Sequence, residues 1–333
     1  MSLATRLPEI WYGAAPPLWL RALVPVYRGL RALHRAFYAL GWRKPQRLPV
    51  PVIVIGNITV GGTGKTPLVI ALIEALRERG HVPGVISRGY GASANEPCLI
   101  DAASDATTSG DEPLLIARAT GVPVAIGRDR VAAGKLLLAM RTCDVIVADD
   151  GLQHYALAGD VEICVIDGAR RFGNEMLLPA GPLREPMSSL ARMDFRVCNG
   201  GPPRADEIPM HLAGDYAVAL SDSNLHKPLR DFSGQRVHAV AGIGNPARFF
   251  ALLRAAGVDP VEHAFADHHA FRASDLAFND DLPVLMTEKD AVKCSAFARP
   301  NQWFVPVRAA LPATFFDDVL RKAFAKPPIG AQR

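Results

Sequence analysis

A short glycine-rich stretch, Gly61-Gly62-Thr63-Gly64-Lys65-Thr66, has the residue types of a phosphate-binding loop. It follows the apolar run 51–55 and precedes a run of helix-forming residues at 67–79. A glycine-rich turn between a buried strand and a helix directs several backbone N–H groups to one point, where the helix N-terminus adds partial positive charge. Lys65 would reach the terminal phosphates of a nucleotide there, and the Thr66 hydroxyl would coordinate Mg²⁺. The stretch therefore predicts a binding site for a nucleoside triphosphate.

One position of this loop departs from the usual spacing. Thr59 stands five residues before Gly64, where a glycine is usual. Gly56 and the glycine pair at 61–62 would have to supply the backbone freedom. A glycine-rich turn that binds nothing is the alternative, and the Gly-Lys-Thr that follows at once argues against it.

Two consecutive carboxylates end a second apolar run. Residues 145–148 have the composition of a buried strand, and Asp149 and Asp150 follow directly. In phosphate-loop enzymes a carboxylate at this place holds Mg²⁺ beside the nucleotide. Successive residues of a strand face opposite sides, so we expect only one of the two to contact the ion directly.

Phosphoryl transfer to a hydroxyl group also needs a proton acceptor, because Lys65 and Mg²⁺ only stabilise charge. Asp111 in the stretch Gly110-Asp111-Glu112-Pro113 is the candidate. Pro113 is typical of a helix start, where an acidic side chain caps free N–H groups, and the residues by themselves favour that capping role.

A second polar cluster, Asp267-His268-His269, has the residue types of a metal site. Adjacent histidines in an extended segment point to opposite faces, so they do not readily share one ion. A histidine that orients or polarises a carboxylate is the better interpretation, and for His269 a structural hydrogen bond is expected.

The rest of the chain supplies the elements that must position these groups. The first series of apolar runs predicts strands at 51–56, 82–87, 122–126, 144–149 and 161–167, with helices near 67–79, 112–119 and 128–140. A second series predicts strands at 236–241, 259–265, 283–286 and 303–307, and a helix near 312–325. Continuous Val/Ile runs indicate strands covered on both faces, hence a mostly parallel sheet.

At 333 residues and 49% hydrophobic content, the chain is long enough for two α/β domains. A segment rich in Gly and Pro around 199–210 reads as the boundary. We therefore expect a P-loop NTPase-type α/β fold, with a mostly parallel sheet sandwiched by helices, at 49–205. A smaller α/β domain at 206–333 and an N-terminal amphipathic helix at 1–48 complete the predicted organisation.

The N-terminal segment carries the basic charge of the molecule. Residues 1–48 hold eight Lys or Arg against Glu9 alone, whereas the whole chain has a net charge of only +4. Basic surfaces for nucleic acid are therefore not indicated elsewhere. Five singly placed cysteines suggest neither a disulfide framework nor a zinc site and are typical of a reduced cytosolic setting.

Within this segment, arginines and large apolar residues separate onto two helical faces. The arginines are Arg21, Arg28, Arg31 and Arg35, and the apolar stripe comprises Trp19, Leu23, Val26, Leu30, Leu33, Phe37 and Leu40. The arginines also interrupt the segment too often for a membrane span or a signal peptide. A helix lying on an anionic membrane surface and a core-packing helix with a solvated arginine face both fit this pattern. Pro25 would kink or restart the helix in either case.

These motifs together resemble the tetraacyldisaccharide 4'-kinase family, which phosphorylates a lipid A precursor in Gram-negative bacteria. The resemblance runs from about residue 15 to 310, and the Thr59 departure is shared by the family's loop. It rests on Gly56 to Pro67, Ser87-Arg88-Gly89-Tyr90-Gly91, Gly110 to Pro113, Asp149 to His154, Pro179-Ala180-Gly181-Pro182-Leu183-Arg184-Glu185-Pro186, Asp267-His268 and Thr287-Glu288-Lys289-Asp290.

The resemblance implies transfer of a phosphoryl group, dependent on ATP and Mg²⁺, to the 4'-hydroxyl of a tetraacylated glucosamine disaccharide 1-phosphate, which gives lipid IVA. It implies the cytoplasmic face of the inner membrane as the place of work, without nucleic acid or an obligate protein partner. A substrate with four acyl chains stays in the bilayer, so the resemblance favours a membrane-interface role for the N-terminal helix.

It also implies roles for particular residues. Asp111 becomes the catalytic carboxylate with His268 as its partner, Glu185 assists with Mg²⁺, and Arg184 lies near phosphate.

Four further residues are candidates for substrate binding. Arg128 and Arg130 follow a predicted strand end, where arginines suit the 1-phosphate of the substrate. Tyr90 and Gln153 are candidate contacts to sugar or lipid. For Arg128, Tyr90 and Gln153 a surface or capping role fits the sequence equally well.

Two other functions use the same loop. A nucleotide-switch or metallochaperone-type NTPase would share the loop and the strand-end carboxylate, with the basic helix gripping a protein partner. The Asn-Lys-x-Asp pattern of guanine specificity is absent, since Thr287-Glu288-Lys289-Asp290 has its lysine misplaced. A kinase for a soluble small molecule would leave the amphipathic helix unexplained.

Overall fold

The computed structural model describes residues 3–13, 15–90 and 96–325. Its helices are α1 (Leu3–Tyr12), α2 (Leu18–Ala39), α3 (Lys65–Glu78), α4 (Ala106–Ser109), α5 (Asp111–Thr120), α6 (Arg130–Met140), α7 (Pro246–Ala255), α8 (Glu288–Cys294) and α9 (Ala313–Ala323). Its strands are β1 (Val52–Gly56), β2 (Pro83–Ser87), β3 (Cys98–Ile100), β4 (Val124–Ile126), β5 (Val145–Asp149), β6 (Val161–Asp167), β7 (Phe195–Asn199), β8 (Ile208–Ala213), β9 (Tyr216–Ala219), β10 (His226–Pro228), β11 (Arg236–Ala241), β12 (Asp259–Ala264), β13 (Val284–Thr287), β14 (Gln302–Val305) and β15 (Arg308–Ala310).

The larger sheet has the strand order β15-β8-β7-β6-β1-β5-β2-β4-β3. Its seven central strands run parallel, and the two edge strands, β15 and β3, are antiparallel to their neighbours. The predicted α/β fold with a mostly parallel sheet between helices is confirmed. We call this sheet and the helices packed on it the first unit.

The central strand β1 shows why the apolar runs are continuous. Ile53 and Ile55 pack into a core with α3 on one face of the sheet, whereas Val52 and Val54 pack into a second core that includes α6. Both faces of the strand are therefore covered, which removes the polar alternation of a half-exposed strand. Full burial of each such side chain stabilises the fold by about 1.5–3 kcal/mol.

The smaller sheet has the order β10-β9-β14-β13-β11-β12. Strands β14, β13, β11 and β12 run parallel, and β9 and β10 continue the sheet in antiparallel fashion. Helix α7 buries Phe249, Phe250 and Leu253 on one of its faces. We call this sheet, with α7 and α8, the second unit.

The predicted boundary between residues 205 and 206 lies between two paired strands of the first unit. β7 and β8 are parallel neighbours, and β15 pairs antiparallel with β8. α9 also returns, because Phe315 and Val319 pack into the first core. The second sheet thus spans residues 216–305, less than the 206–333 expected, since local patterns do not reveal pairings between distant segments.

Helix α2 lies against the first unit along one edge and does not restart at Pro25. Its apolar stripe is largely exposed: Trp19, Leu23, Val26, Leu30, Leu33 and Leu40 are between 45 and 65% accessible. The alternative of a core-packing helix therefore does not fit. Arg31 departs from the predicted arginine face, because it turns inward and binds Glu185 at 2.8 Å.

Candidate active site

The predicted phosphate-binding loop connects β1 to α3, as the sequence indicated. Gly61 and Gly64 have φ of 102° and 92°, a backbone conformation that favours glycine. A Cβ atom on Gly64 would collide with the side chain of Asn199, whose Nδ2 donates to the Thr63 carbonyl at 2.8 Å. The Asn199 side chain, at the end of β7, therefore holds the loop through a backbone carbonyl of the loop.

The structure explains why threonine stands at position 59. Thr59 is buried and forms an antiparallel bridge with Leu183. Val60 N donates to the Pro182 carbonyl at 2.8 Å in the same crossing. This segment is extended and pinned to the 177–183 loop, so a conformation reserved for glycine is not required there.

Lys65 lies over the carboxylate pair at the end of β5. Its Nζ is 3.4 Å from Asp150 Oδ1 and 3.4 Å from Asn57 Oδ1. Arg184 binds the other oxygen of Asp150 at 3.2 Å. Although burial alone would raise it, Lys65 and Arg184 lower the pKa of Asp150 to about 2. Asp150 is thus a carboxylate shared between two cations.

Asp149, unlike Asp150, has no cationic side chain of the described ranges bound to its carboxylate. Ser87 Oγ donates to Asp149 Oδ2 at 3.3 Å, while Oδ1 has no hydrogen-bond partner among the described residues. Burial, together with the charges of Glu112 and Asp150, raises the pKa of Asp149. A buried carboxylate oxygen without a partner is unusual and suits a cation.

A bound Mg²⁺ therefore fits the residues at this point. Thr66, Asp149 and Asp150 supply the hydroxyl and carboxylate oxygens that Mg²⁺ prefers, with phosphate oxygens completing such a shell. Across residues 3–13, 15–90 and 96–325, no three His, Cys, Asp or Glu side chains converge into an all-protein metal site.

Asp111 and His268 meet across 157 residues of sequence. His268 Nδ1 lies 3.1 and 3.0 Å from the two carboxylate oxygens of Asp111. The N-cap residue of α5 is Gly110, but Asp111 Oδ1 accepts from Glu112 N at 3.0 Å, so Asp111 both binds a free N–H group of the first turn and contacts His268. His269 binds Asp275 instead, and the two adjacent histidines serve different partners.

The charges around this pair shift both groups. Burial would raise the pKa of Asp111, but His268, Lys289 and Lys293 outweigh it and lower the pKa to about 2. The hydrogen bond that His268 donates to the same carboxylate raises the pKa of His268. Asp111 is therefore ionised, and His268 binds a proton more tightly than a free imidazole.

Glu185 is fully buried and already paired. Its Oε2 lies 2.8 Å from Arg31 and 2.6 Å from Arg192, and its Oε1 accepts from Gln153 Nε2 at 3.1 Å. In this arrangement Glu185 ties α2 to the site. Its role in Mg²⁺ binding stays a prediction.

The predicted substrate contacts fall into two groups. Arg130 is only 2% exposed and donates to the carbonyls of Gly127, Asp149 and Asp150, and burial lowers its pKa to about 10. It supports the end of β5 from behind, which does not fit a substrate ligand. Arg128 is exposed, and the exposed ring of Tyr90 lies 4.8 Å from that of His268.

A cavity of about 700 Å³ lies between the two units. It is lined by the phosphate-binding loop, by Glu112 and Asn199 of the first unit, and by Gly244, Arg248, Phe249 and Lys289 of the second. Its volume and its apolar lining next to a cationic loop suit a nucleotide. The loop side of the cavity is the predicted nucleotide site.

One arginine joins the two walls of this cavity. Arg170 donates to the Gly62 carbonyl at 2.8 Å and to the Gly244 carbonyl at 2.9 Å, and Asp167 orients it at 2.9 Å. Gly62 and Gly244 approach so closely that a Cβ on Gly244 would collide with the Gly62 backbone. Arg170 lies in none of the sequence motifs. Asn57, Ser87 and Lys289 do lie in such motifs, but sequence reasoning assigned them no role as site residues.

Comparison with known proteins covers nearly the whole chain. A family model described as tetraacyldisaccharide-1-P 4'-kinase matches residues 17–325. A protein of Stenotrophomonas maltophilia (strain R551-3) named tetraacyldisaccharide 4'-kinase is 55% identical over 327 residues, which cover 94% of this chain and 95% of that protein. The protein of the same name from Xanthomonas euvesicatoria pv. vesicatoria (strain 85-10) is 52% identical over 329 residues, 95% of each.

A solved structure shares the fold. The "apo" form of LpxK from Aquifex aeolicus, in complex with ATP, has a TM-score of 0.75 and 26% sequence identity. The match covers 91% of this chain and 99% of that chain, so both units take part in it.

Proposed function

Because the chain belongs to the tetraacyldisaccharide-1-P 4'-kinase family, we propose that it transfers the γ-phosphoryl group of ATP to the 4'-hydroxyl of a tetraacylated glucosamine disaccharide 1-phosphate. The observation that carries this proposal is the Asp111–His268 pair at 3.0 Å. Glu112, the chain neighbour of Asp111, lines the same cavity as Lys65. A kinase acting on an alcohol needs both a phosphate cradle and a proton acceptor, and the pair supplies the second.

The nucleotide phosphates bind the backbone N–H groups of the loop and the start of α3. Lys65 is held by Asp150 and Asn57 in this structure, and it exchanges these partners for phosphate oxygens when ATP binds. Thr66, Asp149 and Asp150 would hold Mg²⁺, and a bound Mg²⁺ would supply positive charge that neutralises the phosphates.

The sugar hydroxyl gives its proton to the Asp111–His268 pair. With a pKa of about 2, Asp111 by itself is a weak base. His268 has a raised pKa and shares its hydrogen bond with both carboxylate oxygens, so a proton accepted at one group is stabilised by the other. The two residues therefore act as a unit.

Exposed groups near the pair orient the lipid head. The ring of Tyr90 lies 4.8 Å from that of His268, tilted by 46°, and offers an aromatic face to a sugar. Arg128 is exposed and suits the 1-phosphate. Arg184 contacts Asp150, and Gln153 contacts Glu185. In these positions Arg184 can contact the phosphate and Gln153 the sugar.

We infer that the enzyme works at the cytoplasmic surface of the inner membrane, with helix α2 lying on that surface. Among the described residues no helix is long and apolar enough to cross a bilayer. Helix α2 exposes its apolar stripe on one face and arginines on another, the amphipathic combination that binds anionic interfaces. The opposite edge contacts the site, since Tyr27 donates to the Arg184 carbonyl at 3.0 Å, so the acyl chains of a bound lipid can stay in the membrane.

A nucleotide-switch or metallochaperone-type role is not supported, because the matching relatives are named as kinases of a lipid precursor.

The test incubates the protein with labelled ATP, Mg²⁺ and the lipid disaccharide 1-phosphate in detergent. A bisphosphorylated lipid is the expected product. Asp111→Ala and His268→Ala should each lose most of kcat with little change in ATP affinity, and the double variant should be scarcely worse than either. Nucleotide hydrolysis without a phosphorylated lipid would contradict the proposed function.

A further inference from the structure

We propose that Lys289 is the positioning residue of the Asp111–His268 pair, joining the two units that each supply one member. The inference rests on the proposed roles of Asp111 and His268. Asp111 begins α5 of the first unit, whereas His268 lies in the loop after β12 of the second unit. Lys289 stands between them, in the first turn of α8.

The contacts of Lys289 reach both members. Its Nζ is 2.9 Å from Glu112 Oε1, 3.2 Å from Asp267 Oδ1 and 3.7 Å from Asp111 Oδ2. Glu112 and Asp267 are the chain neighbours of Asp111 and His268. The Lys289 ammonium group therefore binds a side chain directly beside each member of the pair.

The charge of Lys289 is secured by its surroundings. The side chain is 14% exposed; burial alone would lower its pKa, but Glu112, Asp111 and Asp267 raise it above the usual range. Without this cation, three carboxylates would face each other in a poorly solvated place, and they would repel or take up protons. Lys289 thus keeps the loop of His268 attached to α5.

The backbone that carries Lys289 is rigidly mounted. Thr287 caps α8 and donates to Asp290 Oδ2 at 2.7 Å, and Gly242 N donates to the same oxygen at 2.8 Å. Asp290 is fully buried. Lys289 is therefore fixed to the second sheet. The distance between Asp111 and His268 consequently depends on how the two units pack against each other.

His268 needs such support because its backbone is strained. Its φ is 60°, a conformation that side chains other than glycine adopt at a cost of roughly 1 kcal/mol or more. The neighbouring Asp267 contacts Lys289, and the His268 ring contacts Asp111. These two contacts hold the loop in its strained form.

A second lysine on the same helix provides a comparison. Lys293 Nζ is 3.9 Å from Asp111 Oδ2 and 2.8 Å from Asp290, but it forms no ion pair with Glu112 or Asp267 in the part of the chain that the structure describes. It pairs Asp111 with Asp290 of its own helix and does not reach the loop that carries His268. The contacts that tie this loop to α5 belong to Lys289.

The experiment compares Lys289→Met, which removes the charge at similar length, with Lys289→Arg, which keeps it. Lys289→Met should lower kcat on the order of 10²-fold through misplacement of the pair, with the KM for ATP changed less than about threefold. Lys289 lowers the proton affinity of both Asp111 and His268, so its loss should move the acid limb of the kcat–pH profile to higher pH. Lys289→Arg should restore most of kcat, and the exposed Lys322→Met on α9 is the control.

A double variant separates this inference from its alternatives. In an Asp111→Asn background, Lys289→Met should cost little more, because it acts through the same pair. A full multiplicative loss, a normal kcat in Lys289→Met, or a folded Lys289→Arg variant as impaired as Asp111→Asn would overturn the inference. If Asp111→Asn itself is fully active, the proposed base is wrong; if Asp111→Asn is inactive while Lys289→Met is normal, only the role of Lys289 fails. Thermal melting identifies variants that do not fold, and the Arg variant keeps the charge that the fold needs.

Discussion

Removal of three exposed arginines from α2 should release the protein from anionic membranes. Arg21, Arg28 and Arg35 are exposed on one side of the helix. Each basic residue close to an anionic surface contributes about 1 kcal/mol, so the three together contribute roughly 3 kcal/mol. Since 1.4 kcal/mol is a factor of ten, replacing all three with Gln should weaken vesicle binding on the order of 10²-fold.

Arg31 is left out of this set because of where it points. It binds Glu185 at 2.8 Å and lies 3.3 Å from the Tyr155 hydroxyl, so it belongs to the site and not to the membrane face. Including it would confuse a loss of membrane binding with damage to the active site.

Flotation with vesicles rich in anionic phospholipid, at low and high salt, measures the effect. Wild-type protein should float at low salt and less at high salt, because salt screens exposed charges. The triple variant should float poorly at both. A control for the loss of surface charge carries Gln at two arginines, Arg230 and Arg321, which are also highly exposed but lie outside α2. This control should float like the wild type.

The apolar stripe gives the second half of the test. Leu30 and Leu33 are 65% and 56% exposed, so Leu30→Ser and Leu33→Ser should leave the melting temperature almost unchanged while weakening flotation. Unchanged flotation of the arginine variant would show that the arginines do not bind the protein to the membrane. A large drop in melting temperature of the leucine variants would show that the stripe packs against protein.

Three further predictions follow from the site. Gly64→Ala should destabilise the fold by about 1–3 kcal/mol in a denaturant melt and abolish ATP binding by calorimetry, because its positive φ and the Asn199 side chain both exclude a Cβ; normal ATP binding would contradict this geometry. The pKa of His268 is raised in the folded protein, so the stabilisation it provides is fully present below the unfolded value of 6.5 and is lost as pH rises through the folded value. The gap in free energy of unfolding between wild type and His268→Gln should therefore be wider at about pH 5.5 than at about pH 8.5 in urea melts, and an equal gap would refute the shift. Arg31→Gln should lower kcat and melting temperature, since it leaves buried Glu185 short of a partner, while flotation stays normal.

Much of the fold follows from local pattern. The runs around β1, β5 and β6 are apolar throughout, and the loop before α3 has its glycines where the backbone needs them, so these elements were predictable within a residue or two. The strand β8 and the return of β15 were not predictable, because their partners are distant in sequence and their own residues carry no strong period.

The site divides in the same way. The loop and Asp149 are marked by spacing, whereas the pairing of Asp111 with His268 came only from family resemblance, since 157 residues separate them. Arg31 points inward because it binds Glu185, which a helical wheel does not show. Arg130 is buried against groups that its position after a strand does not reveal. Lys289 is the clearest example of a residue whose role the sequence does not reveal, because that role depends on three carboxylates from two other segments.

The pairing of β8 with β15 makes the second unit an insertion in the first. The chain leaves the first sheet after Ala213 and re-enters it at Arg308, and these two residues are directly paired across neighbouring antiparallel strands. The two crossings therefore lie side by side, which is the geometry in which a domain can be spliced into or out of a surface turn. Replacing residues 214–307 with a short hairpin turn would leave every strand of the nine-stranded sheet in place. The excised protein would keep Lys65, Asp149 and Asp111 but lack His268, so the phosphate cradle is separable from the complete Asp111–His268 pair.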